Sequence, residues 1–320
     1  MTPGPTTAGP PGDGEATTVS VGGRTLRVTF LDKVMYPETG TTKAELLQYA
    51  VGVADAVLPL VRDRPVTRIR WPHGVAQESF FEKNIPAGVP DWVARVALPT
   101  SGRRSGKGPG EITYPLVDEV ATLAWFVQTG ALEWHAPQWR VDRGAAAGTD
   151  PVLPPDRLVL DLDPGPPAGL RECAEVALVA RRMLVAHGMD PVAVTSGRKG
   201  MQLYAPLPPG NEQGRDVLAR AGSTSDYAHA LGEALVRAFP ALVITRMARE
   251  ARPGKVFVDW SQNNPGKTTI CPWSLRGTEL PTVATPVTWD EVEAGTLAHA
   301  TYDEALRRLA RGIDPTRGLR

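Results

Sequence analysis

The chain has 320 residues, 42% of them hydrophobic, and its 35 Lys plus Arg balance 35 Asp plus Glu. Zero formal charge excludes a global field pulling the protein onto nucleic acid or membrane, so any polyanion must be held by local patches. Two cysteines, Cys173 and Cys271, exclude a zinc cluster or a spaced redox pair, and no run approaches the ~18 apolar residues of a membrane span. The expected location is a reducing cytoplasm, with no membrane partner.

Residues 1–18 are mostly Pro, Gly and Thr, with almost nothing to bury, and read as a disordered leader. "VSVGGRTLRVTF" predicts a hairpin turning at Gly22 and Gly23, and "TTKAELLQYAVGVADAVLPLV" a helix with a Thr N-cap. "VTRIRW" and "SFF" are short strand candidates, "LVDEVATLAWFVQTG" a helix ending at Gly130, and "ALEWHA" a strand after it. A Gly, Ala and Pro loop follows. From residue 157 the order is strand "RLVLDLD", helix, strand "VAVTS", strand "MQLYAPL", helix "SDYAHALGEALVRAF", then strands "ALVITRM" and "KVFVDW". That β-α-β-β-α-β order predicts a mixed, largely antiparallel sheet like that of ferredoxin-like and RNA-recognition folds, the architecture of many nucleotide polymerase palms. "TWDEVEAGTLAHATYDEALRRLARG" reads as two short amphipathic helices. The expected organisation is one α/β unit over 19–315, with an N-terminal part to about 150, a palm over about 151–285 and C-terminal helices over about 286–315.

Asp161 and Asp163, in "LVLDLDPG", point to one face of a strand about 7 Å apart. Two like charges there suit a hard divalent cation, and Asp259, ending another apolar run, would complete an oxygen-ligand site. A strand end with an aspartate-capped turn uses the same residues. Ser196, Gly197, Arg198, Lys199 and Gly200 form a small basic turn between two strands. Its amides, hydroxyl and ammonium suit a triphosphate, although a solvated hairpin turn is the simpler use of such a segment.

"LVLDLDPG", "VTSGRKGMQLYAPL" and "KVFVDWSQNNPGKTTICPWSLRG", in this order and spacing, resemble the polymerase domain of bacterial DNA ligase D, of the archaeo-eukaryotic primase superfamily. "LDKVMYPETGTTKAELLQYA", "FFEKNIPAGVPDW", "TLAWFVQTGALEWHAPQWR" and "TVATPVTWDEVE" extend the likeness to about residues 20–315. Such a collinear series is far more specific than any one motif.

The resemblance implies a primase-polymerase fold and a template-dependent nucleotidyltransferase that extends primer 3′-hydroxyls at gaps or double-strand breaks, preferring ribonucleotides. It implies two ions, Mn²⁺ or Mg²⁺, held by Asp161, Asp163 and Asp259, and nucleoside triphosphates as substrate. Ser196, Lys199, Arg252 and His135 match its nucleotide contacts, and Gln202 stands where many relatives have histidine. Lys33 and Lys43 match a pair that holds the 5′-phosphate of gapped or broken DNA. Phe80 and Phe81 match an aromatic pair that stacks on the template, although phenylalanines are more often core. Ku and a separate DNA ligase are the implied candidate partners, since no K-x-D-G ligase motif or histidine-rich nuclease segment is found and a stand-alone unit is expected. A primase starting chains without a primer, and a non-catalytic end-binding module, are the alternatives.

Overall fold

A computed structural model describes residues 16–100, 110–146, 148–207 and 210–320. Most of the expected leader therefore lies outside the described residues. The chain enters as a hairpin of β1 (Thr17–Val21) and β2 (Arg24–Val28), starting two residues earlier than expected and turning at Gly22 and Gly23, both at positive φ. After β3 (Val34–Tyr36) and β4 (Thr41–Thr42), the helix expected over 41–61 is two helices, α1 (Lys43–Gly52) and α2 (Ala54–Val61), bent by 68°. Its start is as expected: Thr42 and Glu45 form a reciprocal capping box. Pro59 lies inside α2, where its missing N–H and its ring act on the Asp55 carbonyl, and the break itself falls upstream at Val53, which caps both helices.

Strands β5 (Thr67–Arg70) and β6 (Phe80–Glu82) follow, then a hairpin of β7 (Arg95–Thr100) and β8 (Gly110–Pro115) that the sequence reading missed. Helix α3 (Val120–Gln128) ends before Gly130, where a Cβ would meet the Trp71 carbonyl at 3.0 Å, and the chain turns into β9 (Ala131–Ala136).

The second half supplies β10 (Arg157–Pro164), α4 (Leu170–Ala186), β11 (Val192–Thr195), β12 (Met201–Pro206), α5 (Glu212–Ala221), α6 (Thr224–Ala238), β13 (Val243–Ile244) and β14 (Val256–Asp259). Two departures from expectation are local: α5 is an unexpected helix in a polar stretch, and the expected strand over 241–247 is only two residues long. Strands β15 (Thr269–Ile270) and β16 (Thr285–Val287) and helices α7 (Trp289–Glu293) and α8 (Tyr302–Ala310) complete the chain. No single helix among the described residues is long and apolar enough to cross a membrane.

Two sheets carry the architecture. The larger runs β13-β14-β10-β12-β11-β16, so the last palm strand lies beside the first. All its pairings are antiparallel except β13 with β14. The smaller runs β15-β9-β5-β6. On β10 the alternation is strict: Leu158, Leu160 and Leu162 pack under α4 and α6, whereas Val159 belongs to the other core. Asp161 and Asp163 continue the Val159 face to where that core ends.

Segment 269–284 ties the halves together. β15 pairs with β9, the buried Tyr49 hydroxyl donates to the Trp273 carbonyl at 2.7 Å, and the buried Tyr36 hydroxyl donates to that of Arg276 at 2.7 Å.

Candidate active site

Asp161 stands between two strands. Its cross-strand partner on β14 is Asp259, and on β12 it is Gln202. Residues so placed in an antiparallel pair lie roughly 4.5–5.5 Å apart at Cα, which brings the three acids together although 96 residues separate Asp163 from Asp259. Burial and the charge of Asp163 push the Asp161 carboxyl up to about 8, and Asp259 adds to the shift. Asp163 is raised by burial and then by Asp259, against the opposing charges of Arg252 and Lys199. Both acids therefore favour a compensating cation.

Asp259 is held from the other side. Its Oδ1 accepts from Ser261 N at 3.0 Å and Ser261 Oγ at 2.6 Å, and its Oδ2 from Gln262 Nε2 at 2.9 Å. Among the described residues no group of three or more His, Cys, Asp or Glu side chains is placed to hold a metal ion. The donor set nevertheless suits hard divalent ions, which take carboxylate oxygens from a few side chains and keep other positions for water and phosphate.

The basic turn between β11 and β12 closes onto the same strand. Ser196 Oγ accepts from the amides of Arg198, Lys199 and Gly200 at 3.3, 3.2 and 3.1 Å. Those amides are thus committed to the hydroxyl oxygen, and what the serine can offer a ligand is its O–H. A Cβ on Gly200 would sit 1.9 Å from the Leu162 carbonyl oxygen. Gly200→Ala is accordingly expected to push the turn off β10, at the upper end of the ~1–3 kcal/mol that overpacking typically costs. Urea unfolding reads the effect, and an unchanged midpoint would contradict it.

A cleft of about 180 Å³ collects His135, Asp161, Asp163, Ser196, Lys199 and Gln202, together with Arg198, Gln262 and Arg276. Gln202 donates its Nε2 to Asp161 Oδ1 at 3.0 Å, so its amide faces an acid rather than standing free for a phosphate. Arg252 is outside the cleft lining, its guanidinium 3.7 Å over the Phe257 ring and bonded to the Met247 carbonyl.

Three cleft-associated residues were missed by sequence reading: Glu133, Gln262 and Arg276. Glu133 is 1% exposed and accepts from His135 Nε2 at 2.9 Å and from Gly277 N at 3.0 Å. It also pairs with Arg276 Nη1 at 3.2 Å. Burial would raise its carboxyl, but the His135 bond, the charges of Arg276 and His135 and the Gly277 amide hold it at about 2. Strand alternation in "LEWHA", which puts Glu133 and His135 on one face, was a usable signal. Arg276 had none, since its place depends on the distant Tyr36 hydroxyl.

The DNA-side expectations fall outside the cleft lining, and one of them, Lys43, is buried. Phe80 and Phe81 are 45% and 59% exposed on the edge strand β6, so they are not core residues. Lys33 Nζ donates to the Pro72 carbonyl at 2.5 Å and Lys43 Nζ to that of Thr29 at 2.8 Å. The Lys43 amide bonds the Lys33 carbonyl, which keeps the two together. Burial, then the charge of Lys33, lowers the Lys43 ammonium to about 8.

The family model of the LigD primase-polymerase domain matches residues 42–316. The multifunctional non-homologous end joining DNA repair protein LigD of Mycobacterium tuberculosis (strain ATCC 25618 / H37Rv) is 44% identical over 290 residues, covering 90% of this chain and 36% of the relative. The bifunctional non-homologous end joining protein LigD of Bacillus subtilis is 33% identical over 285 residues, covering 89% of this chain and 42% of the relative. The chain thus spans less than half the length of these curated relatives. Among solved structures, the polymerase domain from Mycobacterium tuberculosis Ligase D in complex with DNA matches with a TM-score of 0.80 at 42% identity, covering 91% of this chain and 96% of that one.

Proposed function

Because this chain belongs to the LigD primase-polymerase domain family and is a nucleotidyltransferase, we propose that it extends primer 3′-hydroxyls on a template at gaps or double-strand breaks, in repair synthesis of the non-homologous end joining type. Nucleoside triphosphates are the substrate, with ribonucleotides preferred. Ku and a separate DNA ligase are proposed as partners. The observation that carries the reading is that Asp161 and Asp163 share one cleft with the Ser196–Lys199 turn, while Asp259, outside the cleft lining, sits across from Asp161 on the neighbouring strand.

Asp161 and Asp163 would hold the divalent ions, Mn²⁺ or Mg²⁺, with Asp259 joining once its carboxylate turns from Ser261 and Gln262. When bound, such ions lower the pKa of the attacking hydroxyl and neutralise the leaving phosphates. The chain's own residues do the positioning. Lys199 and Arg276 offer charge to the triphosphate, the Ser196 hydroxyl donates from the turn, and Gln202 orients Asp161. His135, fixed by Glu133, faces the incoming nucleotide. The test is primer extension on a gapped, 5′-phosphorylated duplex with each metal and each nucleotide type. Binding without extension under every condition would favour an end-binding module instead.

The proposed 5′-phosphate grip makes a pH prediction. Lys43 is the first residue of α1, where the helix dipole disfavours a cation, and among the described residues no carboxylate pairs with either lysine. A phosphate would relieve both deficits. Since the grip needs the charged ammonium, the preference for a 5′-phosphorylated strand should fall as pH rises through about 8, by up to about tenfold per pH unit. An ordinary lysine, with a pKa near 10.4, would leave it flat over that range. A flat profile between about pH 7 and 9.5, measured by competition between phosphorylated and hydroxyl-ended gaps, would remove Lys43 from the grip.

A further inference from the structure

Beside the two lysines, Phe30 adopts φ 54°, the left-handed region that bulky side chains avoid. Only two other non-glycine residues among those described share it, Asp63 and Trp273. Aspartate tolerates the conformation through its short polar side chain, and Trp273 is fully buried, so packing holds it there. Phe30 has neither excuse, because it is 41% exposed.

The bend has a structural use. It aims the Thr29 carbonyl at Lys43 Nζ, lets the Phe30 carbonyl accept the Lys33 amide at 3.1 Å, and places the Leu31 carbonyl on the Ala44 amide at 3.0 Å. Glycine or asparagine would serve that bend at less steric cost. What the bend does not explain is the ring, which lies under Lys43 Nζ at 5.7 Å in a residue that keeps 41% of its surface exposed. An exposed aromatic in a disfavoured backbone conformation, attached to a pair of unneutralised ammonium groups, has the parts of a nucleotide subsite: cations for the phosphate and a π-face for the base.

We propose that Phe30 is a base-stacking subsite that receives the terminal nucleobase of the strand whose 5′-phosphate Lys33 and Lys43 hold. The phosphate part rests on the function proposed above; the stacking part is new. Stacking tolerates any base, because every base has a π-face, so the subsite would recognise an intact terminal nucleotide rather than a sequence.

The experiment compares the wild-type chain, Phe30→Asn and Phe30→Trp on gapped duplexes. Their downstream strand is phosphorylated or not, and its terminal nucleotide is normal or abasic. Asparagine is chosen because it is enriched in the left-handed region and so keeps the bend while removing the ring. The wild type should bind the normal end about tenfold more tightly than the abasic end. Phe30→Asn should lose that ratio but keep its preference for the phosphate, and Phe30→Trp should retain both. The melting temperature of Phe30→Asn should be equal to or above that of the wild type. A base-to-abasic ratio near one in the wild type, or the same ratio in Phe30→Asn, overturns the subsite, as does a large fall in melting temperature, which would assign the ring to packing. Loss of phosphate preference in the wild type with the base ratio intact would sink the phosphate reading and leave the stacking in place.

Discussion

Asp161→Ala and Asp163→Ala should each reduce primer extension by at least about 10²-fold while binding to gapped DNA survives. The size follows from the several kcal/mol of transition-state charge stabilisation that a correctly held metal supplies. Survival of binding follows from placement, since Lys33, Lys43, Phe80 and Phe81 are not among the residues lining the cleft. A conservative companion separates chemistry from folding. Asp161→Asn keeps an oxygen for Gln202 Nε2 but removes a carboxyl that burial, Asp163 and then Asp259 push up to about 8, a proton-linked cost to folding at neutral pH. In the presence of a chelator its melting temperature should match or exceed that of the wild type, while extension with Mn²⁺ or Mg²⁺ is still lost. Near wild-type extension by either alanine variant would end the metal-site reading.

How much of this was legible beforehand depended on the range of the interaction. Period-two alternation in "RLVLDLD" was enough to put Asp161 and Asp163 on one face, and the β-α-β-β-α-β order was enough to expect Asp259 nearby. The register that sets Asp259 against Asp161 rather than Asp163 had no local signal. The Thr42 capping box announced the start of α1, but the same periodicity ran on through Pro59 and hid the bend. The β7 and β8 hairpin escaped because its strands flank 101–109, a Gly, Ser and Arg stretch outside the described residues, which offered no two-residue turn signature. Phe80 and Phe81 illustrate the limit of composition: two adjacent phenylalanines suggest core, yet both are exposed at the sheet edge. Arg276 is the furthest from legible, because it is placed through residues over a hundred positions away.

Glu133 joins most of what the sequence missed, and its removal should be the most damaging single change behind the cleft. Glu133→Ala strands the Arg276 guanidinium, whose side chain is 11% exposed, without its counter-charge, and breaking a buried pair in this way typically costs ~3–5 kcal/mol. Glu133→Gln retains an acceptor for the Gly277 amide and a group that His135 can bond, so what it removes is the charge. With the Glu133 carboxyl at about 2 against an ordinary 4.5, its ionised form contributes stability on the order of 3 kcal/mol at neutral pH. That contribution is fully present above about pH 4.5 and disappears as pH falls toward 2. The gap in unfolding free energy between wild type and Glu133→Gln should therefore be widest near neutrality and narrow steadily through that acid window. Function should change in step with geometry. Without the charge, Arg276 is free to leave the cleft wall and His135 loses the carboxylate that keeps a proton on Nε2. If both groups hold the triphosphate, as proposed above, the apparent KM for nucleotide should then rise more than kcat falls. Equal stability of the two proteins at pH 6 together with an unchanged KM would show that Glu133 merely fills space between β9 and the 269–284 segment.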